Sequence, residues 1–199
     1  YTASDNVENL TLTGTGDIDG TGNSLDNILR GNDGANTIKG NSGNDKLYGG
    51  SGADYLRGGD DDDRLYGDSG KDRLKGESGD DYLKGGSSAD KLYGGSGEDY
   101  LRGGTSADKL YGDSGKDTLK GESGDDYLKG GSSADKLYGG SGEDYLRGGT
   151  SADRLYGDSG NDKLKGESGN DTLIGGTGKD NVYGGSGKDI FKLTKGSGY

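Results

Sequence analysis

Gly94-Gly95-Ser96-Gly97-Glu98-Asp99-Tyr100-Leu101-Arg102 is one unit of a nine-residue pattern, G-x-x-x-x-D-x-(apolar)-x, that runs almost unbroken from Gly22 to Lys192. A fixed period this short marks a solenoid in which each unit stacks on its neighbours. Position one is Gly in every unit from Gly22 to Gly184, and position two is Gly, Asn, Asp or Glu. Position four is mostly Gly, replaced by Ser88, Ser106, Ser133 and Ser151, once by Asp61 and, in the first unit, by Leu25. Glycine tolerates positive φ, and Asn and Asp tolerate it better than most, so the first six positions read as a turn. The serines are expected to alter the turn locally. Position eight is Leu29, Ile38, Leu from Leu47 to Leu173, then Val182 and Phe191. The x-Leu-x triplet reads as a three-residue strand whose apolar side chain faces inward while positions seven and nine face water. Two units close one coil of 18 residues. The expected fold is all-β: a parallel β-roll (β-solenoid) of two short parallel sheets, with roughly nine coils rising about 4.8 Å each.

Composition pulls the other way. The chain has 199 residues, 47 of them Gly, and only 25% are hydrophobic; the mean hydropathy is −1.01. Such a chain has too little apolar surface to offset its ordering entropy, and a net charge of −12 adds self-repulsion. The Leu period overrules disorder, but one Leu per unit makes a thin core that needs help.

The aspartates of position six supply the reason help is available. Stacking coils of 18 residues aligns Asp54, Asp72, Asp90, Asp108, Asp126, Asp144, Asp162 and Asp180 on one edge. Asp45, Asp63, Asp81, Asp99, Asp117, Asp135, Asp153, Asp171 and Asp189 align on the other. Carboxylates stacked in partly dry turns repel, and a hard cation with oxygen ligands removes the repulsion. Calcium suits best, because it takes six to eight oxygens in flexible geometry, backbone carbonyls included, whereas magnesium prefers to keep its water. About 15 ions are expected, one per gap between successive Asp-bearing turns on each edge. The chain has no Cys and no His, so soft transition metals lack ligands. The first two units carry Asn27 and Asn36 instead of Asp, which should weaken or abolish sites there.

The unit Gly94 to Arg102 resembles the calcium-binding repeat of hemolysin-type RTX proteins, G-G-x-G-x-D-x-(apolar)-x, and the resemblance extends over some 19 consecutive units. It implies a right-handed parallel β-roll with calcium between successive turns, held by the position-six carboxylates and turn carbonyls. It also implies a chain unfolded without calcium, and a bacterial protein exported by type I secretion that folds outside the cell. The expected domains are a capping segment at 1–21, the β-roll at 22–192, and a C-terminal tail at 193–199 of engineered origin. The absence of an initiator Met points to a trimmed start.

A longer period lies over the short one. Residues 76–120 and 121–165 are duplicates that differ only at Lys109/Arg154, Lys116/Asn161 and Thr118/Lys163. With the narrow residue alphabet, this suggests an engineered or consensus array. Of the 24 basic residues, all but Lys71, Lys116, Lys179, Lys188 and Lys195 sit at positions seven or nine, with every Tyr except Tyr1 and Tyr199. The expected ring stacks are Tyr48 on Tyr66, Tyr82 on Tyr100, Tyr93 on Tyr111, Tyr127 on Tyr145 and Tyr138 on Tyr156, flanked by cations such as Arg102 beside Tyr100. These outward faces are either solubilising surface or an adhesion surface for acidic polysaccharide or protein. Nothing supports an enzyme: the carboxylate pairs recur with the repeat, and no unique constellation breaks it. No phosphate loop precedes a helix. Nucleic acid and membrane insertion are not expected, and the expected assembly is a monomer whose open sheet ends carry a risk of end-to-end association.

Overall fold

The structure is a computed structural model that describes residues 1–192. The tail assigned to 193–199 therefore lies outside the described residues. Strands alternate in chain order between an eleven-stranded and a ten-stranded sheet. All pairings are parallel, with residue i opposite residue i+18 through the repeats, as Leu47 opposite Leu65 in the larger sheet and Leu92 opposite Leu110 in the smaller. Each coil thus contributes one strand to each sheet. At the N-terminal end the short strand Asn9–Thr11 pairs with Ile28–Arg30 at an offset of nineteen, Asn9 opposite Ile28. The segment before the repeats still lays Leu10 on Leu29 and adds Leu10 to the apolar stack.

The repeat strands are longer than the three residues the sequence suggests. Apart from the three-residue Ile28–Arg30 and Ile190–Lys192 they span six, as in Lys46–Ser51 and Tyr100–Thr105, from position seven to position three of the next unit. The inward alternation continues past the Leu to the glycine of position one, so Leu47 and Gly49 are both buried. That glycine is not needed for its φ. A Cβ built on Gly103 would stand 2.8 Å from the carbonyl oxygen of Gly121 and 2.9 Å from Cβ of Asp108, closer than packed atoms sit. Left-handed φ begins at position two, where Gly50 has φ 103° and Glu77 φ 88°, and returns at position four. The serines at position four stay in the left-handed turn but alter it locally: Ser88, Ser106, Ser133 and Ser151 take φ of 79° to 86°, against 101° to 141° for the glycines from Gly43 on, at a cost in backbone strain.

The core is a single ladder running from Leu29 through Ile38 and the leucines to Leu173, with Leu10 and Val182 packed at its ends. Each fully buried leucine contributes about 1.5–3 kcal/mol. Among the described residues no helix is long and apolar enough to cross a membrane.

Candidate metal centres in the turns

Each position-six Asp ends a turn and enters a strand, and its two carboxylate oxygens have different fates. Oδ1 is used in stacking. The Asp45 N–H donates to Asp63 Oδ1 at 2.8 Å, and Asp63 N–H to Asp81 Oδ1 at 2.8 Å. The same bond links Asp54 to Asp72 on the other edge and continues to Asp162–Asp180 and Asp171–Asp189. All seventeen aspartates foreseen from the repeat therefore fall into two columns of hydrogen-bonded carboxylates. The second oxygen has no such role. From Asp45 to Asp171, fifteen Oδ2 atoms are buried without any hydrogen-bond partner. Asp180 and Asp189, in the last coil, are only half-buried.

An unpartnered buried oxygen costs about 1–3 kcal/mol, more when it carries charge. The turn aspartates thus cost about as much per unit as the leucine of that unit gains. Burial, offset in part by the Oδ1 hydrogen bond, pushes these carboxyls up from 3.8. Asp54, Asp90 and Asp144 reach about 6, Asp72 and Asp153 about 7, and Asp63, Asp99, Asp108 and Asp135 about 8. The ion pairs found among the described residues do not relieve them, because each goes to a Glu, as Arg57 to Glu77 and Arg102 to Glu122.

The site around Oδ2 is lined by oxygen. The Cβ that Gly103 lacks would collide with Asp108 Oδ2 and with the carbonyl of Gly121 one coil on, so both atoms border the space the glycine leaves open. This cradle recurs from Gly40 to Gly166. Among the described residues no three carboxylates converge on one point. Any ion held here is therefore bound by one or two aspartates completed by backbone carbonyls. An oxygen-only, anionic, partly carbonyl donor set is that of a hard cation, and calcium accepts it.

Asn27 and Asn36 occupy the same place with a different result. Asn36 Oδ1 accepts the Asn32 N–H at 2.8 Å, and its Nδ2 donates to the Ile18 carbonyl at 2.8 Å and to Asn32 Oδ1 at 2.9 Å. Asn27 does likewise with Asn23 and Val7. These turns are satisfied by protein alone.

The outward faces carry the tyrosines. Four foreseen pairs stack with planes within 8°, at centroid distances of 5.0 Å for Tyr48–Tyr66, 5.6 Å for Tyr82–Tyr100, 4.9 Å for Tyr93–Tyr111 and 4.7 Å for Tyr138–Tyr156. Tyr127 and Tyr145 meet edge to face instead, at 84°. Arg102 turns to Glu122, and it is Lys120 that stands over Tyr100. Sequence reading missed position five. Where it holds Asp or Asn, the side chain accepts the position-five N–H of the next coil, as Asp62 Oδ1 from Asp80 at 2.7 Å.

A family model of the RTX calcium-binding nonapeptide repeat matches in overlapping windows from residue 21 to residue 191. No curated protein matches the chain. With the repeat matched over most of its length and folded as two stacked parallel sheets, the chain belongs to the RTX calcium-binding nonapeptide repeat family.

Proposed function

We propose that this chain is a calcium-responsive folding module: disordered when calcium is scarce, a rigid β-roll when it is present, and without catalytic activity of its own. The observation that carries this is the fifteen buried, unpartnered Oδ2 atoms in the two columns. Asp45, Asp54, Asp63 and their successors through Asp189 would hold the ions together with turn carbonyls. When bound, calcium supplies positive charge in a low-dielectric turn, which removes both the desolvation penalty and the repulsion along the column. The leucine ladder fixes the coil, the position-one glycines leave the ion space open, and the Oδ1 hydrogen bonds set the vertical register. A family typically found in secreted bacterial proteins fits a medium where calcium is plentiful, so we place the chain outside the cell. Far-UV circular dichroism in chelator and through a calcium titration, with magnesium as control, tests the reading. A coil-to-β transition with calcium alone is expected. A β spectrum that persists in chelator at neutral pH would contradict it.

A second reading is favoured by the sheet faces. On the larger sheet a line of rings and cations runs through Arg30, Tyr48, Tyr66, Tyr82, Tyr100, Lys120 and Tyr138 with contacts of 4.4 to 5.8 Å. Positions seven and nine carry no acid. This surface suits adhesion to an acidic polysaccharide once the turns are charge-neutralised. Calcium-dependent retention on an alginate column supports it, and passage through the column with calcium present rules it out.

A further inference from the structure

Position five divides the edge that carries Asp45 to Asp189 into two halves. Its first half holds Asp26, Asn44, Asp62, Asp80 and Glu98, and its second half holds Lys116, Ala134, Ala152, Asn170 and Lys188. In the first half Asp26, Asn44, Asp62 and Asp80 are fixed in the turns, each accepting the position-five N–H of the next coil. Asp62 N–H donates to Asn44 Oδ1 at 3.1 Å, Asp80 N–H to Asp62 Oδ1 at 2.7 Å and Glu98 N–H to Asp80 Oδ1 at 2.7 Å. A groove of about 860 Å³ opens along this stretch, bordered by the position-five acids and by Asp45, Asp63 and Asp81, whose Oδ2 atoms are buried and unpartnered. The row ends where Lys116 approaches Glu98 at 4.0 Å.

Lys46 and Arg64 also border the groove but are outnumbered by its acids, and a cleft with an excess of one sign of charge focuses field and concentrates counter-ions. In a stacked array, folding can begin at any unit and spread to its neighbours. The geometry points to an uneven ion ladder, in which the acid-lined turns from Asp45 to Asp99 take up the cation first and order the roll outward from there. This rests on the calcium reading above. It assigns position five a role separate from the ligands: Asp62, Asp80 and Glu98 are positioning residues that set the order of loading through charge. The neutral Asn44 shows that the hydrogen bond between turns needs no charge, since it accepts the Asp62 N–H.

Hydrogen-exchange mass spectrometry on the full chain at stepped calcium concentrations tests this. Peptides from 40–103 are expected to gain protection at about threefold lower calcium than those from 130–192, a lead that shrinks in high salt. The variant D62N/D80N/E98Q keeps the amide acceptors and removes the charge, so it should lose the lead yet reach full protection at saturating calcium. Lys116→Glu should extend the early segment by one coil. Simultaneous protection along the chain, or a lead that survives neutralisation and does not extend with Lys116→Glu, would overturn the inference while leaving the calcium reading intact. Protection that never appears with calcium would instead refute the calcium reading.

Discussion

The turns at Asn27 and Asn36 and those at Asp45 and beyond share one glycine cradle, yet they differ in backbone, since left-handed φ at positions two and four begins only with Asn41 and Gly43, and in what they leave undone. In the Asn turns both amide atoms find protein partners. In the Asp turns one oxygen of each carboxylate finds none. The Asn turns are satisfied by their own Asn23 and Asn32 and by the Val7 and Ile18 carbonyls of the N-terminal segment. On the proposed reading, the need for a cation belongs to the Asp residues and not to the β-roll as such.

The largest expected way to break that comparison is pH. The folded carboxyls titrate at about 6 to about 8, against 3.8 for an ordinary Asp. Because the folded state favours the protonated form, this contribution to stability is fully present below about pH 4 and is lost as pH rises through the folded values. In chelator, the β signal by circular dichroism should therefore grow as pH is lowered from 8 to 5, as protons stand in for the cation. A signal that weakens on acidification would contradict the buried-carboxylate account.

Next in size is the pair Asp108→Ala and Asp117→Ala, one from each column at mid-array. The double variant removes two Oδ2 atoms and strips the Asp90 and Asp99 N–H groups of their acceptors. A loss of about 3 kcal/mol or more in calcium-saturated stability is expected from thermal unfolding, and an unmoved midpoint counts against the ladder. Gly103→Ala should cost about 1–3 kcal/mol by overpacking. Gly31→Ala should cost a similar amount, because Asn36 Oδ1 borders that glycine as the Asp carboxylates border theirs. If only the Asp turn suffers, the glycine serves the ion alone. The smallest effect sharpens the comparison from the other side. Asn36→Asp should raise by one the number of ions that native mass spectrometry counts on the calcium-saturated chain, and an unchanged count would speak against the Asp as the ion's anchor.

Most of the fold is legible in the repeat. The Leu at position eight can only face inward, and the period of two units per coil places every Asp column and four of the five tyrosine stacks where the structure has them. What the repeat hides is vertical. The six-residue strands depend on stacking contacts that hold the glycine-rich half in register. The glycine of position one looks like a turn residue, and only the packed coil reveals that its missing Cβ makes room for a carboxylate and a carbonyl. The split between Oδ1 and Oδ2 is equally invisible in a linear sequence, since it arises from a backbone N–H 18 residues away. Position five varies too much along the chain to stand out from the pattern, although its hydrogen bonds join one turn to the next.

The central claim is that each unpartnered Oδ2 is a calcium ligand. Counting the ions bound by the calcium-saturated chain, by native mass spectrometry, tests it most directly. About 15 ions are expected, lost together with the β structure on chelation. A folded chain that carries none, or only one or two, would contradict it.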